Sequence, residues 1–418
     1  MTRPRGVVIA TGSELVRGER TDLNGPFYAR ETLALGLQPA RIIIVGDDPV
    51  ELESALQEGS EADVCLVSGG LGPTHDDRTV ELVAKVAGRP LVVDRELRAT
   101  IEAVSRRIAD RLGRPYADFV DGVTKQATVP QGSISLGLAG TAPGLVLDTG
   151  RCVFVVLPGP PSELRRLWPR ALEAEPVRAV LARTQAPTRH VLRFYGVSES
   201  AVARALVEAG GDGDGVEATI CAREFEIHVD VLAEPGAEVR AAAVVAGVRD
   251  PLERYLFTDD ERAIEELVIG LCRERGFSLV TAESCTGGMV AARLTNVPGA
   301  SEVVLGGVVA YADAVKEREL GVPAATLREH GAVSAEVAAA MALGAAERFG
   351  ADVVVSVTGV AGPGGGSPEK PVGLVFIHVA APGSVEVQRF ELPGDREWIR
   401  ARATIAALHL VRRALSQT

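Results

Sequence analysis

Four short runs, Gly6-Val7-Val8-Ile9-Ala10, Arg41-Ile42-Ile43-Ile44-Val45, Val64-Cys65-Leu66-Val67 and Val153-Phe154-Val155-Val156-Leu157, are apolar without alternation. Such runs are expected of strands in a parallel sheet whose two faces are both covered by helices. Helical patterns separate them: Asn24 to Leu35 lies between the first two runs, and Pro49 to Glu61 between the second and third. This βαβ order predicts a doubly wound α/β sheet for residues 1–172.

The pattern changes over residues 173–258. Phe225-Glu226-Ile227-His228-Val229-Asp230-Val231 alternates strictly, so this strand has one wet face and belongs in a small antiparallel sheet. Ser198 is placed to cap a helix that stops at Gly210-Gly211-Asp212-Gly213-Asp214-Gly215. A small α+β module follows from these signals. Residues 259–418 return to the first grammar. Ile264, Leu267, Val268, Leu271 and Cys272 form one helical face that Gly276 ends. Strands are predicted at Leu279-Val280-Thr281, Val303 to Ala310, Val353 to Val357 and Leu374 to Val379. Ser334 caps an Ala-rich helix, and a last helix runs from about Trp398 to Leu415.

Three domains in 418 residues agree with the usual domain size. With Lys+Arg 44 against Asp+Glu 56, the net charge of −12 repels phosphate backbones, and 4% aromatics leave few stacking platforms. Nucleic acid is therefore disfavoured as a partner. The five cysteines are scattered without metal or redox spacing. No signal-peptide core develops after the start, and no run is long enough to span a bilayer, so no membrane role and a cytoplasmic location are expected.

Polar residues concentrate just after the apolar runs of the first domain, at the sheet edge where α/β proteins bind ligands. Thr11-Gly12-Ser13-Glu14-Leu15 follows the first run, and Ser68-Gly69-Gly70-Leu71-Gly72-Pro73-Thr74-His75-Asp76-Asp77 the third. The glycines let backbone N–H groups approach a phosphate. Asp76 and Asp77, with Asp22 and Glu14, would repel that phosphate unless a hard divalent cation sat between them. A glycine turn followed by an Asp cap is the plainer alternative, although only one Asp can cap.

In the third domain, Ala282-Glu283-Ser284-Cys285-Thr286-Gly287-Gly288 follows a strand and leads toward a helix. A hydroxyl at such a turn can present a nucleophile beside backbone donors. The G-x-S-x-G elbow is missing, so a Ser-His-Asp hydrolase is not indicated. Tyr311 and Lys316 follow the next strand, and Lys316 is the candidate base of a Ser-Lys arrangement. Thr358-Gly359-Val360-Ala361-Gly362-Pro363-Gly364-Gly365-Gly366-Ser367 is a further glycine loop suited to phosphate or an oxyanion. Cys285 is a rival nucleophile on reactivity grounds. Taken singly, Ser284 also reads as a cap, Lys316 as a surface lysine and the loop as a connection.

These motifs resemble the CinA family. The N-terminal likeness rests on Thr11 to Leu15, Gly18, Asp22-x-Asn24, Gly69 to Thr79 and Leu157-Pro158-Gly159-Pro160-Pro161-Ser162-Glu163. It implies the molybdopterin-binding fold and a metal-dependent ADP-ribose pyrophosphatase giving AMP and ribose phosphate. Asp76, Asp77, Asp22 and Glu14 would hold a divalent metal ion (Mg, Mn or Co). Gly69, Gly70, Gly72 and Thr74 would cradle the diphosphate, with Asn24 also at the substrate.

The C-terminal likeness rests on Ala282 to Gly288, Gly307-Val308-Val309-x-Tyr311, Lys316, His330 to Ser334, Gly359-x-Ala361-Gly362-Pro363, Lys370-Pro371-Val372-Gly373 and Gly394-Asp395-Arg396. It implies deamidation of nicotinamide mononucleotide (NMN) to nicotinate mononucleotide and ammonia, without a cofactor. Ser284 would be the nucleophile and Lys316 the base. Tyr311 and Thr358 would orient the amide or stabilise the oxyanion. Arg396 or Arg400 would hold the phosphate, and Thr286, Gly287, Gly288, Gly359 and Gly362 would line the site. Ala312-Asp313 stands where the family pattern leads one to expect Ser-Asn, and Gly364 where Asp is frequent.

The resemblance implies a KH-like middle domain, yet its glycine loop is acidic where a nucleic-acid clamp is neutral or basic. A spacer or dimerisation element is the expectation, and with it a homodimer. Both implied substrates are by-products of NAD consumption. The alternatives are an adaptor for competence or recombination proteins, and a molybdopterin-binding protein.

Overall fold

The structure is a computed structural model that describes residues 3–416. The chain forms two compact units, one running to Thr188 and one beginning at Arg189.

In the first unit, strands β1 (Arg5–Thr11), β2 (Gln38–Val45), β3 (Val64–Ser68), β4 (Ile134–Leu138), β5 (Pro143–Asp148) and β6 (Val153–Leu157) form one sheet in the order β2-β1-β3-β6-β5-β4. The first four are parallel, and β5 and β4 add an antiparallel edge. The unbroken apolar runs have a direct cause. Val7, Ile9, Cys65, Val67, Phe154 and Val156 enter the core on one face, while Val8, Leu66 and Val155 enter the core on the other. Helix α1 (Asn24–Ala34) supplies Tyr28 to the second core. Helix α2 (Pro49–Gly59) supplies Leu52 and Leu56 to the first, as does α3 (Thr79–Val86) through Leu82 and Val83. Helix α4 (Pro161–Glu173) closes the second core with Leu164, Leu167 and Trp168. The expectation of two covered faces fails at β2. It is an edge strand, and Ile42 and Ile44 stay 42% and 46% exposed.

The second unit holds two sheets. Strands β7 (Thr188–Phe194), β8 (Val216–Arg223), β9 (Glu226–Ala233) and β10 (Leu256–Thr258) form the smaller one in the order β8-β9-β7-β10. The alternating β9 buries Val229 and Val231 against α5 (Glu199–Glu208) and α6 (Glu238–Leu252). Ser198 caps α5 by accepting from Ala201 N at 3.3 Å. The glycine loop after α5 wraps a cation: Arg240 donates to the carbonyls of Gly210, Gly211 and Asp212.

The larger sheet contains β11 (Leu279–Glu283), β12 (Val304–Val309), β13 (Val353–Gly359), β14 (Leu374–Ala381) and β15 (Ser384–Glu391), in the order β12-β11-β13-β14-β15. The first three are parallel. Helix α7 (Ile264–Arg275) packs on one face and ends at Gly276 in the left-handed region (φ 67°). Short helices α8 (Met289–Thr295) and α9 (Asp313–Leu320) follow β11 and β12, and α10 (Ala335–Phe349) covers the opposite face through Met341, Ala342 and Ala345. The terminal helix α11 (Arg396–Ser416) returns beside α7.

Candidate functional sites at two sheet edges

At the carboxyl edge of the first unit, the loops after β1, β3 and β6 surround a cavity of about 330 Å³. Its lining includes Glu14, Gly69, Gly70, Gly72, Asp76 and Asp77. Gly69 shows why glycine is required. Its φ is +107°, its N–H donates to Leu157 O at 3.1 Å, and a Cβ would lie 2.4 Å from Thr11 O. Three strand ends can meet here only because this residue has no side chain.

Three expected roles change. Asn24 is buried, and its Nδ2 donates to Ser68 Oγ and to Gly159 O, both at 2.7 Å. It stitches α1 to two loops, so it positions the site; its amide hydrogens are taken within the protein. Asp22 is not in the cavity lining. Its carboxylate accepts from Asn24 N (2.9 Å) and Gly25 N (3.1 Å), so it is taken up by the first N–H groups of α1. Thr74 is also outside the lining, and both its N–H and its hydroxyl donate to Asp77.

The four expected carboxylates do not form a metal cage: among the described residues no group of three His, Cys, Asp or Glu side chains is placed to hold an ion. A magnesium-type ion needs less than a cage, because it keeps waters and is held by one or two carboxylates plus substrate phosphates. Asp76 and Asp77, beside the glycine loop, fit that requirement. The cavity adds two residues that the sequence reading did not single out as site residues. Asp47, at the end of β2, accepts from Ser13 N at 2.9 Å and Ser13 Oγ at 2.6 Å. Glu163, at the start of α4, has its carboxyl raised above the ordinary value by burial. The signal for Asp47 was its place after a β-branched run, like the other loops.

In the second unit, β12, β11 and β13 are adjacent and parallel: Tyr311 and, within α9, Lys316 follow β12, Ser284 follows β11, and Thr358 is the penultimate residue of β13. The register is tight: Ser284 N donates to Val357 O (2.8 Å) and Ala310 N to Glu283 O (2.8 Å). Ser284 is 8% exposed and Lys316 1%. Lys316 Nζ donates to Tyr311 O at 3.1 Å and lies 3.4 Å from Asp313 Oδ1, so the residue that departs from the family pattern touches the candidate base. Thr358 is buried and gives its one hydroxyl hydrogen to Ala332 O at 2.7 Å, so that hydrogen is not available to an oxyanion.

Glu283, which its motif alone does not mark as a site residue, organises the loop. It is 1% exposed and accepts from the N–H groups of Gly288 (2.9 Å), Val290 (3.1 Å) and Ala291 (2.8 Å) at the start of α8. The first turns of α11 tie the loops together. Arg396 donates to Tyr311 Oη (2.7 Å) and Gly362 O (2.8 Å), and Arg400 to Cys285 O (3.0 Å) and Thr286 O (2.9 Å). Both arginines thus hold loop atoms in place. Cys285 is no rival nucleophile: burial pushes its thiol up to about 12, and its Sγ packs beside Gly359. The Thr286 hydroxyl is buried without a hydrogen-bond partner.

Fold and site edges together define a multidomain α/β protein with a molybdopterin-binding-type domain at its N-terminus. Residues 7–176 match the profile of the probable molybdopterin binding domain, and residues 261–415 that of the CinA C-terminal domain. Over 419 residues the chain is 42% identical to a CinA-like protein of Mycolicibacterium vanbaalenii, covering 99% of both chains. It is 41% identical over 423 residues to one from Mycobacterium marinum, again covering 99% of each. A crystal structure of a competence/damage-inducible protein from Agrobacterium tumefaciens is 42% identical over 38% of this chain and 100% of its own, with a TM-score of 0.36. The chain belongs to the CinA-like family. Among the described residues, no helix is long and apolar enough to cross a membrane.

Proposed function

We propose that the second unit deamidates NMN and that the first hydrolyses the diphosphate of ADP-ribose. The observation that supports the first reading is the placement of Ser284 and Thr358 at two adjacent strand ends, with the buried Lys316 in the helix that follows the third. Ser284 Oγ attacks the carboxamide carbon and Lys316 accepts its proton. The developing oxyanion is stabilised by donors of the Cys285-Thr286 turn, whose shape Glu283 and Arg400 hold. Collapse expels ammonia, with Lys316 returning the proton, and water then releases nicotinate mononucleotide from the seryl ester. Arg396, at the rim with Tyr311, is the candidate phosphate contact.

In the first unit, the glycine loop receives the diphosphate, and Asp76 and Asp77 would hold a divalent ion. Such an ion would supply neutralisation of the charge on the diphosphate. Glu163, with its raised carboxyl, is the candidate proton donor to the leaving phosphate. Purified wild type, Ser284→Ala and Asp77→Ala, assayed for ammonia from NMN and AMP from ADP-ribose, test both halves. The expectation is that Ser284→Ala loses only the first activity and Asp77→Ala only the second. Retained deamidation in Ser284→Ala, or loss of both activities in a folded single variant, contradicts the assignment.

A further inference from the structure

Within the second unit, a cavity of about 410 Å³ lies between the small sheet and α11, lined by residues that take no part in the site above. Tyr195 and Tyr255 come from the end of β7 and the approach to β10, Phe390 from β15, and His409 and Arg412 from α11. Two features set it apart from an ordinary crevice.

The first is uncompensated cation. Arg413 is paired with Glu386 at 2.6 Å, but Arg412 has no ion pair among the described residues, and its Nε is buried without a hydrogen bond. Burial, followed by the neighbouring Arg413 charge, pushes Arg412 below the ordinary arginine range. Arg254 adds a second guanidinium, bonded to Tyr255 Oη at 2.5 Å and lying 4.5 Å from that ring's centre. A half-buried guanidinium without an ion pair, with the exposed Arg254 beside it, leaves this cavity with unbalanced positive charge that suits an anion.

The second feature is aromatic surface with an open polar position. Tyr195 lies flat on His409, 3.7 Å between centres and 8° between planes. His409 Nε2 is within 2.7 Å of Glu226 Oε1, while its buried Nδ1 has no partner. With Nε2–H donating to the carboxylate, Nδ1 is a bare acceptor that lacks a donor.

We propose that this cavity binds a small anion carrying a planar ring, of the size and chemistry of a nucleoside monophosphate. Arg412 and Arg254 hold the phosphate, and the Tyr195, Tyr255 and Phe390 rings receive the base. The volume lies in the range of small-molecule sites, roughly 300–1,000 Å³. Stacking on aromatic rings and a guanidinium on phosphate are the usual means of holding such a ligand. The site is separate from both proposed catalytic edges and does not depend on their chemistry.

Photolabelling of the full-length chain with azido-AMP, followed by peptide mapping, tests it by location. The expected label falls on peptides carrying Tyr195, Tyr255 or His409. Excess AMP protects them, and label drops at least tenfold in Arg412→Gln and in Arg254→Gln, each checked for an unchanged melting temperature. Inorganic phosphate should protect at least tenfold less well than AMP. Label confined to other peptides, or undiminished in both folded variants, overturns the site. Equal protection by phosphate and AMP overturns the ring-binding half.

Discussion

At the scale of single residues, burial decides which chemistry each side chain can perform. Three thiols, Cys152, Cys272 and Cys285, are pushed up to about 12 by burial, and Cys65 is also raised well above its ordinary value. Neutral thiols that water cannot reach do not alkylate. Cys221 is the exposed one. Iodoacetamide at pH 8 is therefore expected to label Cys221 alone in the folded chain, as read by peptide mass spectrometry. Labelling of Cys285 as fast as Cys221 would restore it as a rival to Ser284. Ser284 and Lys316 are themselves buried, so the proposed reaction depends on a carboxamide entering a dry strand edge.

At the scale of elements, the central strands were legible because their residues alternate between two cores and leave no polar position. Val8 faces one core and Val7 and Ile9 the other. Caps were legible as well: Ser334 accepts from Val337 N at 3.2 Å, as its position before an Ala-rich run suggested. Edge strands were not. The run Ile42 to Val45 of β2 is as apolar as the middle of β1, but β2 borders one strand only. One carboxylate of the first edge misled for a related reason. Asp22 has the residue type of a ligand, while local N–H groups engage it instead.

Glu283 shows the same competition working in favour of the site. Removing it strands three N–H groups at the start of α8. Glu283→Ala should cost on the order of 3 kcal/mol, and Glu283→Gln, which keeps an acceptor, on the order of 1. Urea unfolding checks this. Equal stability of Glu283→Ala and wild type would remove its place as organiser of the loop.

At the scale of the whole molecule, the second unit is joined internally by the Glu226–His409 contact, and this sets a pH dependence. Burial lowers the His409 pKa below its ordinary 6.5, against the opposing effect of the Glu226 bond. Burial pushes Glu226 up, but its bonds to His228 and His409 outweigh this and leave it lowered. Both groups bind protons more readily when unfolded, so stability is present near neutrality and falls with pH. The His409 share is lost from about pH 6.5 downward and the Glu226 share below about pH 4.3. The denaturant midpoint of wild type should thus decline across pH 7 to 5, and His409→Gln should flatten that decline. An identical slope in the variant would show that other groups govern it.

The central claim is that the three strand ends of the second unit form a metal-independent amidohydrolase. Its most direct test is ammonia release from NMN by the purified chain, with and without EDTA, beside Lys316→Ala. Release should be unchanged by EDTA and should fall in the folded variant by about 10²–10⁴-fold, the usual contribution of a general base. Release abolished by EDTA, or undiminished in Lys316→Ala, would contradict it.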